Sequence, residues 1–223
     1  MRLVHKFLTI GVVLAAPLPT LAAVTFFDNK VAFDAASTTT LRATFEGFNR
    51  VSDTPAIANP YSEGGVTFTE PSNLYIATQT GAAVMFGDIE FPITSNVLTV
   101  SGNEDITMTF AGPAPTAVGF ASFTNRFDAP VVSVFDTASH LIGTYVLTQL
   151  PNSAGFVGIT SDIGIGSVRW LADRGGIKDT AIDNIYTGQV PEVSTWLLML
   201  SGLTCLGFWV RRQRNTSIAS PLG

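Results

Sequence analysis

The chain reads as all-β, an antiparallel β-sandwich of jelly-roll-like character, and three observations predict it. Apolar and polar residues alternate along most of the chain, the period of a strand with one buried face. Turn signals interrupt that alternation at Glu63-Gly64-Gly65, Ser101-Gly102-Asn103, Ala111-Gly112-Pro113, Asp136-Thr137-Ala138-Ser139 and Pro151-Asn152-Ser153. Between residues 24 and 189 no periodic run reaches full helix length, and about ten short strands without a repeat close as two packed sheets.

The elements follow in order. A short strand at Val24 to Phe27 precedes one or two helical turns over Asn29 to Ala36, where Val31, Phe33 and Ala35 sit among polar residues and Asp28 serves as cap. Leu41, Ala43 and Phe45 then alternate with Arg42, Thr44 and Glu46, and Val66 and Phe68 with Thr67 and Thr69. Further strands fall at Asn73 to Thr78, Ala83 to Phe86, Val97 to Val100 and Ile106 to Phe110. In the next strand Val118, Phe120 and Ser122 face one way and Gly119, Ala121 and Phe123 the other, so neither face is polar and both are buried. Val131 to Phe135, Leu141 to Thr148, Gly155 to Ile159, Val168 to Ala172 and Ala181 to Tyr186 complete the set.

Both ends of the chain carry signals of a different kind. Residues 1–23 open with Arg2 and Lys6, continue through the apolar Phe7 to Ala16 and close on Leu21-Ala22-Ala23. That is the pattern of a secretory signal peptide, cut after Ala22 or Ala23, and it implies the Sec translocon and signal peptidase as partners. Residues 190–214 hold Val190-Pro191-Glu192-Val193-Ser194-Thr195, the apolar run Trp196 to Val210, then Arg211, Arg212 and Arg214. From 193 to 210 is about eighteen residues, the short end of what crosses a bilayer as a helix. The arginines set its basic end on the cytoplasmic side, which leaves residues 215–223 as a short cytoplasmic tail.

The exported domain is therefore residues 24–189, enough chain for one core. The whole chain has twelve Lys and Arg against seventeen Asp and Glu. Without Arg2, Lys6, Arg211, Arg212, Arg214 and Glu192, seven positive and sixteen negative groups remain, a net charge of −9. Such a surface disfavours nucleic acid and anionic lipid and suits cations or neutral polymers. The one cysteine, Cys205, lies in the apolar tail, so no disulfide supports the domain.

The order Pro191, Glu192, Ser194, Thr195, Trp196, a small-residue Leu/Gly helix and the cluster Arg211, Arg212, Arg214 resembles the PEP-CTERM sorting signal of Gram-negative bacteria, with Val193 in place of the second proline. The resemblance implies recognition by exosortase, a membrane-embedded cysteine protease or transpeptidase that cuts near the motif. It implies delivery to the cell surface or extracellular matrix in association with exopolysaccharide, biofilm or floc. On this reading the membrane stay is transient; the alternative is an ordinary C-terminal anchor.

A second resemblance covers the domain. Thr44-Phe45-Glu46-Gly47, Gly65-Val66-Thr67-Phe68, Ala117-Val118-Gly119-Phe120, Phe156-Val157-Gly158-Ile159 and Ala181-Ile182-Asp183-Asn184-Ile185 look like the exported sandwich domains that precede this signal, and are similar to jelly-roll carbohydrate-binding modules. That resemblance implies one structural Ca²⁺ held by Glu46 and Asp183, with Asp28 or the Gly47 carbonyl completing the oxygen set. Without it, both acids read as solvated strand ends. It also implies a glycan-binding face, for which Trp170, the one tryptophan of the exported domain, is the candidate, with Tyr61, Tyr75 and Tyr145 as the other amphipathic rings; a Trp in a strand is otherwise core.

Enzymatic readings find little to build on. His140 is the single histidine of the exported part and lies in a turn, without a nucleophile motif beside it. Asp88 and Glu90 could face a groove as a hydrolase pair, although Gly87 to Pro92 reads equally as a turn. Gly164-Ile165-Gly166 lacks the helix of a phosphate loop. The expectation is a protein without catalytic residues, with a carbohydrate-binding module and a sandwich glycan hydrolase as alternatives.

Overall fold

The computed structural model describes residues 22–48, 56–71, 73–77, 95–101, 105–124, 130–148, 153–171, 180–191 and 203–204. Among them are thirteen strands and one helix. In chain order these are β1 (Val24–Phe27), α1 (Lys30–Ala36), β2 (Thr38–Ala43), β3 (Tyr61–Glu63), β4 (Val66–Thr69), β5 (Asn73–Ala77), β6 (Val97–Ser101), β7 (Asp105–Phe110), β8 (Ala117–Thr124), β9 (Val131–Asp136), β10 (Leu141–Val146), β11 (Ser153–Ser161), β12 (Ile165–Leu171) and β13 (Ala181–Gln189). They form two antiparallel sheets. One has the order β1-β11-β8-β13-β6-β5 with β2 also on β13; the other runs β10-β9-β12-β7-β4-β3. Successive strands from β6 onward mostly change sheet, so the core is built from contacts distant in sequence.

That core lies between the sheets, and alternation selects it. Phe120 of β8 and Trp170 of β12 meet edge-on across the gap, ring centroids 5.6 Å apart. Both are fully buried, together with Phe45, Phe68, Leu98, Ile106, Met108 and Ile159. Burial of such side chains stabilises by about 1.5–3 kcal/mol each and is what a domain without disulfides depends on.

The strand read as buried on both faces is β8; its outer face is covered at Gly119 by α1, while Phe123 packs with Ala77, Val97 and Ala181. Phe33 of α1 lies over the outer face of β8 and β11, where the register partners Gly119 and Gly158 leave room for its ring. A Cβ on Gly119 would stand 2.7 Å from Phe33 Cε1, and one on Gly158 2.7 Å from Phe33 Cδ2. The cap of α1 is Asn29, whose side chain accepts from the Ala32 amide at 2.8 Å, and not Asp28. Adjacent Asp and Asn have nearly equal capping propensity, so chain entry geometry decides between them.

The turns are as the residues require. Gly64 and Gly65 both have positive φ, 57° and 85°, and close the two-residue β3–β4 hairpin. Between β9 and β10, Ser139 takes φ 66° while Asp136 Oδ1 accepts from the Ala138 and His140 amides. The predicted strand at Ala83 to Phe86 lies outside the described residues, as do residues 1–21, Glu192 to Thr195 and Arg211 to Arg214. Among the described residues no helix is long and apolar enough to cross a membrane.

Candidate functional site

A break in pairing along β13 builds the most polar interior region of the domain. One edge of β13 pairs with β8 at Ala181 to Asp183 and again at Tyr186 to Gly188, whereas the other pairs with β6 at Ala181 and Ile182 and with β2 from Ile185 onward. At the changeover the register shifts, Asn184 has φ 50°, and Asp183 is 1% exposed. The end of β2 and the start of β6 thus meet head-on beside Asp183. Phe45, just past β2, turns the chain with φ 58° while its ring stays buried in the core.

Three carboxylates serve this seam. Glu46 Oε1 accepts from the Asn96 amide at 3.0 Å, tying the β2 exit to the β6 entry. Glu63 Oε1 accepts from the Thr44 and Phe45 amides at 3.0 and 3.3 Å, and its Oε2 accepts from the Tyr61 hydroxyl at 2.9 Å. Asp183 accepts from Ser95 Oγ at 2.6 Å and from both the amide and side chain of Asn184, at 2.6 and 2.8 Å. Asn96, fully buried, donates its side-chain NH₂ to the Phe45 and Phe48 carbonyls at 3.0 and 2.9 Å. Its Oδ1 is buried without a hydrogen-bond partner.

The electrostatics of the seam are set by the burial of Asp183 and by the neighbouring acids Glu46 and Glu63. Burial pushes the Asp183 carboxyl up to about 6; the Ser95 and Asn184 hydrogen bonds oppose this, and the charges of Glu46 and Glu63 add to it. Burial, then the hydrogen bond and charge of Glu63, push the Tyr61 phenol up to about 12. Chemically the seam offers hard oxygens; the hydroxyls of Ser95 and Tyr61 each donate to a carboxylate there, Asp183 and Glu63. Among the described residues no three His, Cys, Asp or Glu side chains are arranged to hold a metal. A cation held here would need neutral oxygens beside the carboxylates. The orphaned Asn96 Oδ1 is one, and an orphaned buried acceptor costs about 1–3 kcal/mol until something satisfies it.

The fold places Glu46 and Asp183 at this seam and Asp28 elsewhere. Asp28 lines a separate cavity of about 350 Å³ with Tyr145, Leu147, Thr148 and Phe156, beyond the end of β1. Asn96 and Ser95 had no motif to mark them in the sequence. Their position follows from where β6 enters the sheet, a long-range fact.

Trp170 requires a correction as a glycan-binding residue. It is fully buried against Phe120 and donates from Nε1 to Thr180 Oγ1 at 3.1 Å, so neither ring face is offered to a ligand. The tyrosines do not form one platform, because Tyr61 on β3, Tyr75 on β5 and Tyr145 on β10 belong to three different outer strands. Tyr145 is stacked on Phe26 at 5.1 Å, and Tyr61 lies against Phe45, Phe48 and Phe68. His140 is exposed and its Nδ1 is 3.0 Å from Asp136 Oδ2, a brace of the β9–β10 turn. Hydrogen bonds led by that of the His140 amide hold the Asp136 carboxyl below its ordinary value. Gly166 packs onto the Asp136 backbone, 2.3 Å from its carbonyl to a built Cβ, leaving no phosphate cradle there. Asp88 and Glu90 lie outside the described residues.

At one end of the sandwich the first and last residues described for the domain lie close together. Ala23, Thr116, Thr160, Asp162, Gln189 and Pro191 line one cavity of about 420 Å³. The last strand is fastened there: the Val190 amide donates to Thr116 Oγ1 at 2.8 Å, and Thr116 Oγ1 and Gln189 Oε1 are 3.0 Å apart.

No protein-family model matches the sequence. No curated protein matches it either. Among solved structures, the chain is similar to a mutant family 29 carbohydrate-binding module complexed with cellulohexaose, at 9% identity and a TM-score of 0.34, covering 70% of this chain and 94% of that one. It is also similar to the family 11 carbohydrate-binding module of a cellulosomal cellulase of Clostridium thermocellum, at 13% identity and a TM-score of 0.35, covering 68% and 95%. A likeness this distant carries no argument about what this chain binds.

Proposed function

We propose that this is a non-catalytic exported protein of the cell surface or extracellular matrix, carried out by the Sec translocon, trimmed by signal peptidase, and cut near Pro191-Glu192 by exosortase. The observation that carries the reading is where the fold stops. Among the described residues the last strand ends at Gln189, Val190 still donates a hydrogen bond to the domain, and the motif begins at the exposed Pro191. A cut at the motif therefore severs none of the described strands. Ala23 and Pro191 line the same cavity, so the segments preceding and following the domain leave it from one end. That geometry suits a precursor with both segments directed at one membrane.

In this reading the seam is a structural element. Glu46, Asp183 and the Asn96 side-chain oxygen would hold one Ca²⁺, whose charge would offset the burial of the Asp183 carboxylate and which would join the exit of β2 to β13 and β6. The acidic surface suits a hydrated matrix, and exopolysaccharide is the proposed partner. The strands that change sheet support the jelly-roll-like description.

The test is processing in a Gram-negative host with exosortase. The double substitution Pro191→Ala with Glu192→Ala is expected to leave the precursor in the membrane, and Val193→Pro to change release little. Unaltered release of the double variant would remove the sorting proposal.

A further inference from the structure

The leader cut has two candidate positions, and the fold distinguishes them. Ala23 is held by two hydrogen bonds from one residue position. Its amide donates to Asp162 Oδ1 at 2.9 Å, and its carbonyl accepts from the Asp162 amide at 3.3 Å. These contacts carry the β1–β11 ladder one step past its last partners, Val24 and Ser161. Asp162 follows β11 directly, with Ser161 tied to the Thr116 carbonyl at 2.8 Å. The carboxylate is therefore presented by a fixed backbone.

We infer that signal peptidase cuts between Ala22 and Ala23, and that the ammonium group this creates docks on Asp162 as the closing contact of the mature domain. The inference rests on the proposed export of the chain. Water adds across the Ala22–Ala23 amide; the leader departs with the new carboxylate, and the domain keeps the nitrogen, which takes up a proton. At that moment a neutral amide donor at 2.9 Å becomes a cation at the same place, so an ordinary hydrogen bond becomes a charge-assisted one. Processing thereby strengthens the first strand of the outermost ladder. A cut after Ala23 would instead delete both hydrogen bonds and leave Asp162 without the residue it holds. The residues before the bond agree: a cut after Ala22 places Thr20 two residues before the small Ala22, whereas a cut after Ala23 would place the larger Leu21 there.

Expression of the full chain in a Gram-negative host, followed by intact-mass analysis of the exported form, tests the assignment. The expected N-terminus is Ala23, one alanine heavier than a chain starting at Val24. A start at Val24 or beyond overturns the assignment and leaves export standing. A chain that still begins at Met1 and stays in the cytoplasm overturns both. The ion pair has its own readout in the acylation rate of the N-terminal amine near neutral pH, compared between the purified mature protein and its Asp162→Asn variant. Because acylation needs the free amine, the variant is expected to react about threefold faster for each half-unit by which Asp162 raises the amine's pKa. Equal rates in the two proteins would overturn the docking.

Discussion

Asp183 gives the seam a pH dependence that can be worked through in sign and size. Its carboxyl lies at about 6 in the folded chain against 3.8 for the ordinary group. Below 3.8 both folded and unfolded chains hold the proton, and Asp183 costs nothing. Between 3.8 and 6 the unfolded chain ionises while the folded chain keeps its proton, so stability falls as pH rises. Above 6 both are ionised and the loss is complete, about 3 kcal/mol for the whole window. In a domain of this size that corresponds to a melting temperature lower by about 6–12 °C. The assay is thermal or urea unfolding of the sandwich domain in EDTA at several values between pH 3.5 and 7.5, beside Asp183→Asn. Subtracting the variant's profile removes the other acids and His140. The difference is expected to fall through the window and level off above it, and Ca²⁺ at pH 7 is expected to recover the loss in the wild type and much less in the variant. A difference profile that is flat, or that rises with pH, would refute this electrostatic account. No recovery with Ca²⁺ would remove the cation from it.

Four further outcomes follow from particular contacts. Asn29→Ala should cost about 1 kcal/mol in unfolding experiments and Asp28→Ala little, because only Asn29 caps α1. Trp170→Ala should cost about 3–5 kcal/mol, a core penalty rather than a binding defect, and Trp170, the single tryptophan of residues 24–189, should show the blue-shifted emission of a buried indole. Gly188→Ala should destabilise by more than about 2 kcal/mol, since a Cβ there would lie 2.0 Å from the Thr38 carbonyl oxygen and force β2 off β13. Asn96→Asp should be destabilising in EDTA, adding a fourth acid beside Glu46, Glu63 and Asp183, with Ca²⁺ reducing the deficit; a deficit unchanged by Ca²⁺ would speak against a cation at Asn96.

Most strands were legible because each has one wet face or a clear turn beside it. Val66 to Thr69 and Val131 to Asp136 show this directly. β3 was missed, since three residues, Tyr61–Glu63, carry no period of their own and pair only because Gly64 and Gly65 turn the chain back. The burial of β8 on both faces could be read from its composition, but the cover at Gly119, Phe33 of α1, could not. The seam was half legible. Glu46 and Asp183 stood in short motifs, whereas Ser95 and Asn96 become neighbours of Asp183 only because β13 changes partner at that point. Such a change is a property of the sheet and leaves no local signal. Trp170 shows the converse, for a lone tryptophan invites a binding role until its Nε1 is found satisfied inside the core.

On the proposed function, processing frees the folded domain at both ends from segments directed at the membrane. Intact-mass analysis of membrane and released fractions, from the native host with and without its exosortase, tests it most directly. A released form beginning at Ala23 and ending near Pro191 or Glu192, present only when exosortase is present, is the predicted result. A membrane-bound form still ending at Gly223 in both hosts would contradict it and make the tail an ordinary anchor.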